Sequence, residues 1–592
     1  MERRVLLAIF LSFVVLYAYQ ALFVKPVPKT APTSTTSSGA TTTPPPSAGG
    51  AAASAPAPAT APGTTSPGAA PASTNATLAT TPAPGTTALI SATEEHDVRI
   101  ETPHVSAVFT NRGARLKSWR LKGYKDNQGQ PLELVATELA ATQPLPFSLR
   151  VPDEATTGTL NGALYKLQGS PPENAQGAPA QLTFEYQDST GLHAVKQFTI
   201  DPSTYTAALN ATVTQGDRPL PTTVVWGPGL GDSDSQSGRY AVKPGGLFAS
   251  GGKVTRLTTR NIASQPTFNQ DFEYAGVDDH YFMSVAMKTG MAKLIYQPIS
   301  IPAPAGSKDP ARDFVSYSIE PTRTGPVTFF VGPKDFDTLA AINPDFTKAI
   351  NFGMFSVIVV PLLRSLDWIH GFIGNYGWSI LALTVLINLV LFPLNHKSVV
   401  SMRKMQEIQP ETKAIQERYA KLKATDPAKQ KMNQELMALY RERGVNPASG
   451  CIPILLTLPV FLAFYSLLTT AIQLRGAPFV GWIHDLSQPD PYYVMPVLVG
   501  ISQIITQWMT PQTGVDPTQQ KMMMIMPIVL IFVFVSTPAG ALIYWLVSNV
   551  WRLGQQYLTN YLIGPPNIRT IRPAAERRVK RVGGGKTDAA AS

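Results

Sequence analysis

Asn375-Tyr376-Gly377-Trp378-Ser379-Ile380-Leu381-Ala382-Leu383-Thr384-Val385-Leu386-Ile387-Asn388-Leu389-Val390-Leu391-Phe392-Pro393-Leu394 is an apolar run free of charge and long enough to cross a hydrocarbon core as a helix, a length of roughly 20 residues. It carries Thr384 and Asn388 four positions apart, on one helical face. Polar side chains at such depth are expensive and face a bundle interior or a wet cavity. Four more apolar segments follow: Ala448 to Leu474, Val494 to Met509, Met524 to Val535 and Ala541 to Leu562. Within them Gln503 and Gln507 form a second pair at i,i+4, and Ser548, Asn549 and Arg552 interrupt the last. The chain therefore reads as an α-helical membrane protein, with these polar residues as its candidate working site.

Working outward, the segments are joined by connections of contrasting charge. Residues 395–447 hold eleven Lys or Arg against six acids, and Arg569, Arg572, Arg577, Arg578, Lys580, Arg581 and Lys586 crowd the tail. Cationic loops stay cytoplasmic, so both belong on that side, and the connection from Arg475 to Pro491, with Asp485 and Asp490, lies outside. The cytoplasmic loop reads as a helical hairpin. Its first helix runs from about Ser398 to Leu422 with an interruption near Pro410. Its second starts at an Asp426 N-cap with Pro427 in the first turn and closes at Gly444. The hairpin is either a solvated charged surface or a docking surface for ribosome, substrate or anionic lipid.

At the other end, Arg3 and Arg4 precede an apolar run, Val5 to Val24, that exceeds the core of a cleavable signal and lacks a small-residue cleavage site. Residues 1–24 are expected to be a transmembrane signal anchor. Residues 25–89 are almost wholly Pro, Ala, Thr, Ser and Gly, too poor in large apolar side chains to fold, and make a disordered tether. The anchor and five core segments give six transmembrane helices, which return both termini to the cytoplasm.

Between the tether and the core, residues 90–335 show short alternating runs broken by Gly, Pro, Asn and Asp. Examples are Leu182, Phe184, Tyr186 and Tyr205, Ala207, Leu209, Ala211, Val213. Every second residue is apolar or small, as in a sheet with one wet face, so a large external all-β sandwich is expected. Asp278, Asp279 and His280 resemble an acid–base cluster, but adjacent strand side chains point to opposite faces, which argues against a shared site. Val225-Trp226-Gly227-Pro228-Gly229-Leu230-Gly231 lacks the Lys-Ser/Thr ending of a phosphate loop and reads as a turn. Residues 345–374 are expected to hold an amphipathic helix lying in the membrane interface. The apolar stretch Ala349 to Leu363 is short for a span and is followed by Arg364 and Asp367.

The lone Cys451 excludes an internal disulfide and a cysteine zinc cluster, and no nucleotide-hydrolysing motif is present. No catalytic residue, metal site or cofactor is expected. A net charge of +10 suits nucleic acid or anionic lipid equally.

Asn375-Tyr376-Gly377-Trp378-Ser379, Val445-Asn446-Pro447 leading into Gly450-Cys451-Ile452-Pro453, Leu474-Arg475-Gly476-Ala477-Pro478-Phe479, Trp482-Ile483-His484-Asp485-Leu486, Asp490-Pro491-Tyr492-Tyr493 and Tyr544-Trp545-Leu546-Val547-Ser548-Asn549 together resemble the YidC/Oxa/Alb family of membrane protein insertases. The likeness covers about Asn351 to Leu562, and the anchor, tether and β domain look like the long Gram-negative bacterial form, whose β domain resembles a sugar-mutarotase-like supersandwich. The resemblance implies a five-helix core, residues 375–563, around a hydrophilic groove that guides nascent membrane proteins into the bacterial inner membrane, alone or beside the Sec translocon, with the ribosome meeting the hairpin and the basic tail, residues 564–592. The implied groove residues are Thr384, Asn388, Gln503, Gln507, Tyr544, Trp545, Ser548, Asn549 and Arg552. A greasy substrate slide is implied at Thr457, Leu458, Pro459, Phe461 and Met526, where plain packing or lipid contact is the competing reading.

One departure stands out. The family usually places an arginine four residues after the groove threonine, where this chain has Asn388. Arg552 is a candidate replacement. Asn388 lies about 13 residues beyond Asn375 and Arg552 about 14 beyond Pro538, so both sit roughly 20 Å from the outer ends of their helices. Arg552 either lines the groove or snorkels to cytoplasmic headgroups. A secondary transporter would instead show inverted repeats and midplane carboxylates, and the five spans contain no acid. A membrane-anchored periplasmic carbohydrate-binding protein would place its function in the β domain.

Overall fold

The computed structural model describes residues 87–564 apart from 127, 170–174, 176, 233–241, 303–310, 324, 420–427, 446–451 and 510–516. The expected signal anchor, most of the tether, Cys451, the Asp426–Pro427 helix start and the basic tail lie outside the described residues.

Two sheets build the β domain. One has fourteen strands and the other four, among the described residues. The four-stranded sheet is an antiparallel meander of Asp97–Glu101, Val105–Thr110, Arg115–Lys125 and Pro131–Glu133. The organising strand of the large sheet is Phe282–Ile301. Its first part pairs with Val327–Pro333 and its second with Arg312–Pro321, so the sheet divides along this one strand. Alternation places the core as expected: Ala180–Asp188 buries Leu182, Phe184 and Tyr186. The inner faces meet where Phe109 of the small sheet packs on Phe198 of the large one, ring centroids 4.8 Å apart, and Trp119 Nε1 donates to Val331 O across the sheets at 2.9 Å. The tether ends earlier than its composition suggests. Ala88–Ile90 forms a strand against the Ala180–Asp188 strand, because backbone pairing at a sheet edge needs no large side chains.

Short helices α1 (Glu154–Gly162), α2 (Thr259–Ser264) and α3 (Phe336–Ile342) punctuate the β domain. Beyond it come α4 (Ser356–Ile373), α5 (Tyr376–Glu407), α6 (Gln409–Arg418), α7 (Ala428–Glu442), α8 (Ile452–Thr470), α9 (Val494–Met509), α10 (Pro517–Phe534) and α11 (Ala539–Ile563). By length and composition Gly353–Ile373 and Tyr376–Glu407 are long and apolar enough to cross a membrane.

Helix α4 lies inside the expected 345–374 and runs past Leu363 through Arg364 and Asp367. Arg364 lies over the Phe336 ring at 5.6 Å, and Asp367 accepts a hydrogen bond from the Tyr376 hydroxyl at 3.2 Å. One expectation needs correction: the stretch from Ser398 to Glu407 belongs to the long helix α5 and not to a separate hairpin helix, while the expected interruption near Pro410 is present. Helix α5 runs unbroken from the apolar stretch to Glu407, and the chain turns only at Ile408, where Pro410 opens α6. The side-chain pairing of Arg443 with Glu411 and Arg418 with Glu435 ties α6 to the α7 region, and Gly444, at φ +62°, ends that arm.

A continuous apolar core joins the base of the β domain to the helices. Leu247, Tyr274 and Phe330 belong to the same cluster as Val359 and Leu363 of α4, Phe464 and Leu467 of α8, and Leu542 of α11. Polar contacts reinforce the joint: His280 Nε2 meets Thr469 O at 2.8 Å, Gln473 Nε2 donates to Asp335 Oδ2 at 2.9 Å, and Arg475 reaches Asp232 Oδ1 at 3.4 Å while lying over Phe282.

Candidate functional site

Helix α11 packs against both α5 and α9, and these three helices carry all the polar residues singled out above for the groove. Asn375 is the N-cap of α5, its side chain accepting from Trp378 N at 3.2 Å, and Pro538 precedes the first residue of α11. Counting depth from these two positions therefore starts at true helix ends.

The composition of the buried faces changes along the helices. In its first half α5 buries Ile380 and Leu383 together with Ser379 and Thr384, and α11 buries Ala539, Ala541, Leu542, Ile543 and Tyr544. From Asn388 onward in α5, among the described residues, the buried positions are Asn388, Ser398, Arg403 and Gln406. From Ser548 onward in α11 they are Ser548, Asn549, Gln555 and Thr559. A mixed seam thus gives way to a wholly polar one.

Thr384 and Asn388 are both buried, on one face as the spacing requires. Each leans on its own helix: Thr384 Oγ1 donates to Ile380 O at 2.6 Å and Asn388 Nδ2 to Thr384 O at 2.8 Å. Between α9 and α11 the direct link is Asn549 Nδ2 donating to Ser502 Oγ at 2.9 Å. Ser502, one residue before the expected Gln503, is the partner because it is the residue that faces α11. Gln503 and Gln507 are half-buried. Further along, Thr559 Oγ1 approaches His396 Nδ1 at 3.5 Å, and Arg403 donates to Asn560 Oδ1 at 2.8 Å and Gly564 O at 2.5 Å, closing the end of α11 against α5.

Arg552 occupies an unusual place. At 100° per residue, Trp545, Ser548, Arg552, Gln555 and Thr559 follow one stripe of α11. Ser548, Gln555 and Thr559 are buried on that stripe, yet Arg552 between them is exposed.

Several buried polar atoms of α9 and α11 have no partner among the described residues: Gln503 Oε1, Asn549 Oδ1, Trp551 Nε1 and Gln555 Nε2. Leaving such an atom unsatisfied costs about 1–3 kcal/mol, and buried polar groups normally find a partner or an ordered water. On α11 Asn549 and Trp551 lie about 160° apart, so these atoms belong to different faces of the helix.

Tyr544 and Trp545 stand at the apolar edge of the seam. Phe461 of α8 packs on Trp545 edge-on at 4.7 Å and on Tyr544 at 6.1 Å, and Phe534 of α10 meets Trp545 at 4.7 Å. Of the candidate slide, Phe461 is thus joined to the groove residues. Leu458 and Met526 are exposed, Pro459 is half-buried, and the Thr457 side chain lies outside the described residues. Sequence reasoning missed Ser502, Gln555, Thr559, His396 and Arg403. The signal was there in part, since Gln555 and Thr559 continue the Ser548–Arg552 stripe at i,i+3 and i,i+4 spacing.

In the β domain, Asp278, Asp279 and His280 do separate jobs. Asp278 Oδ2 accepts from Lys334 at 3.0 Å, and Asp279 Oδ1 accepts from Tyr281 N and Phe282 N at 2.9 and 2.7 Å, capping a turn. Burial, with Asp232 nearby and Lys334 opposing, pushes the Asp279 carboxyl up to about 7. Burial likewise pulls the His280 imidazole below its ordinary value. The three side chains form a structural joint.

Two family models divide the chain. Residues 97–365 match the YidC periplasmic domain, and residues 368–564 match the 60Kd inner membrane protein family. A membrane protein insertase YidC from Citrifermentans bemidjiense is 36% identical over 579 residues, spanning 95% of this chain and 99% of its own. The chain belongs to the YidC family of membrane protein insertases. YidC from Pelobacter propionicus is 32% identical over 583 residues, covering 95% of this chain and all of that one. A crystal structure of an active YidC insertase with its first transmembrane domain resolved matches 80% of this chain and 94% of that one at 18% identity and a TM-score of 0.33. As a YidC family member the chain is an inner-membrane protein with a periplasmic β-sandwich domain, and the family is one of insertases rather than enzymes.

Proposed function

We propose that this protein is an inner-membrane insertase and chaperone in which the polar half of the α5–α9–α11 seam is the groove that guides hydrophobic segments of nascent membrane proteins into the bilayer. The observation that supports this reading is that from Asn388 and Ser548 onward the buried positions of α5 and α11, among the described residues, are all polar. A charged residue at the membrane centre costs about 2.5–3.5 kcal/mol on insertion scales. A polar seam reaching partway across shortens the apolar barrier, and the substrate's own hydrophobic segment then supplies the drive. The membrane potential adds about 2.3 kcal/mol per charge per 100 mV, so no nucleotide is required.

The topology follows from charge. Six spans with both termini cytoplasmic put the α6–α7 hairpin and the basic tail on the side of the ribosome and anionic lipid. The β domain, a supersandwich in this reading, and the Arg475 to Pro491 connection then lie outside, and α4 rests in the interface with Arg364, Asp367 and His370 at its polar flank. Work beside the Sec translocon fits the same arrangement. Crosslinking tests the groove: a photoreactive residue at Asn388 or Thr559 is expected to capture nascent membrane proteins on stalled ribosomes, whereas one at lipid-exposed Trp508 is not. Equal capture at all three positions refutes the groove.

A further inference from the structure

Where the β domain meets the helices, the carboxyls of Asp232, Asp278 and Asp279 face the cations of Lys334 and Arg475. Lys334 donates to Asp278 Oδ2 at 3.0 Å and to Asp279 O. Arg475, just past the turn Ile472–Leu474 that follows α8, reaches Asp232 Oδ1 at 3.4 Å. All three aspartates and Lys334 are buried, and an uncompensated charge away from water is costly enough that the group neutralises instead. Asp279 is the carboxyl that keeps a proton. Its Oδ1 accepts from Tyr281 N and Phe282 N, whereas its Oδ2 is buried with no partner among the described residues. Burial and the neighbouring Asp232 charge push it up to about 7 against the pull of Lys334. The surrounding ionisable groups leave this balance standing. Arg256, 3.9 Å from Asp278, is partly open to solvent, which screens it, and donates to Lys348 O and Ala349 O. Burial favours the neutral forms of the His280 imidazole and of the Tyr281 and Tyr124 phenols. Asp485, which faces Tyr281, accepts from Ser487, and Asp335 accepts from Gln473.

We propose that Asp232 and Asp279 hold one proton between them and form a pH-sensitive latch that sets how firmly the β domain grips the end of α8. With that proton in place, the pair and Asp278 carry two negative charges against the two positive charges of Lys334 and Arg475, and the joint is neutral. Without it, two like charges are buried side by side and Arg475 answers only one. The same surface carries the links from His280 to Thr469 O and from Gln473 to Asp335, so repulsion within the pair strains every polar contact between the two regions. In a parted joint water reaches Asp279, which then titrates near its ordinary value of about 4. The gripped state therefore holds the extra proton between about 4 and about 7, so the grip is firmest at the acid end, weakens across that window and changes no further above it. Because the β domain is periplasmic, the latch answers to the proton concentration outside the cytoplasm.

Interdomain distances read the latch directly. The full-length protein in liposomes, with its lone cysteine removed by Cys451→Ser, carries spin labels on Lys253→Cys in the β domain and Val480→Cys beyond α8, both exposed positions. The distance distribution is expected to be narrow at pH 5 and broad at pH 8, the ratio of gripped to parted molecules falling by roughly tenfold to a hundredfold. Asp279→Asn keeps the acceptor for Tyr281 N and Phe282 N and cannot ionise, so its distribution is expected to stay narrow at both values. Asp232→Asn leaves as many carboxyls as cations, so the pH response is expected to vanish there too, which keeps the test valid if Asp279→Asn fails to fold. His280→Gln is expected to retain the response in full. The same distribution at pH 5 and pH 8 without these aspartate or histidine changes overturns the latch. So does a response that survives in either aspartate variant that folds, or one that His280→Gln abolishes.

Discussion

Arg552→Ala is the perturbation that most directly probes how this chain manages without the arginine its family usually carries at the position of Asn388. Arg552 is exposed in the middle of a buried stripe of α11, and it lies about as deep as Asn388 at ~1.5 Å per residue. A carboxylate passing 4 Å from a cation gains about 1 kcal/mol in bulk water and about 4 kcal/mol at an effective dielectric of 20. An exposed guanidinium falls in the lower half of that range, about 1–2 kcal/mol, or roughly five- to thirtyfold in rate. The assay is insertion of two matched substrates, one with an acidic translocated tail and one with a neutral tail. Arg552→Ala is expected to slow the acidic tail by that factor more than the neutral one, and adding Asn388→Arg is expected to restore part of the difference. Among the described residues the Asn388 side chain donates to its own helix, at Thr384 O, so its loss leaves no described partner on another element unpaired. A headgroup-facing Arg552 predicts a small loss that ignores tail charge, an unaffected Arg552→Lys variant and no specific rescue. Equal defects for the two tails refute the compensation argument.

Arg475→Met removes the cation that sits between the Asp232 carboxylate and the rings of Tyr281 and Phe282; breaking a buried pair costs about 3–5 kcal/mol, so limited proteolysis at the joint between the β domain and α8 is expected to accelerate, and unchanged cleavage counts against a clamp. Asp279 titrates near 7 in the fold and near 4 when unfolded, so the folded state holds the extra proton between those values and stability falls as pH rises from about 4 to about 7. Asp279→Asn should flatten that slope in thermal melts, and an identical slope would assign it to other groups. Removing residues 569–592 deletes seven Lys or Arg and is expected to weaken ribosome co-sedimentation at low salt and to lessen its salt dependence; unchanged binding at low salt would leave the tail with a topological role alone.

The apolar helices and the alternating strands were legible because periodicity and composition are local properties. Leu182, Phe184 and Tyr186 must share a face whatever they pack against. Thr384 and Asn388 could be placed on a common face for the same reason. What stayed hidden depends on partners far along the chain. Ser502 rather than Gln503 meets Asn549 across 47 positions, and no spacing rule within α9 chooses between neighbours. The partners of Arg364 and Asp367, the Phe336 ring and the Tyr376 hydroxyl, come from outside their helix and were hidden for the same reason. The pairs His280 with Thr469, Gln473 with Asp335 and Arg475 with Asp232 were equally out of reach, since each joins the β domain to the helical region.

The two ends of the helix bundle are held by different forces, and this difference gives the groove its direction. At the ends of α5 and α11 nearest Asn375 and Pro538, apolar side chains pack into a core continuous with α4, α8 and the base of the β domain. Local opening there would expose the whole cluster at once. Beyond Asn388 and Ser548 the helices meet through single polar contacts, Thr559 with His396 and Arg403 with Asn560 and Gly564. Each such bond contributes about 0.5–1.5 kcal/mol net, somewhat more where a charged group takes part, and water or a peptide can replace it. Regions with few buried apolar contacts open first. The seam should therefore part from the Arg403 end while the Asn375 end stays shut, which admits a chain from the side of the basic hairpin and keeps the opposite face sealed against leakage.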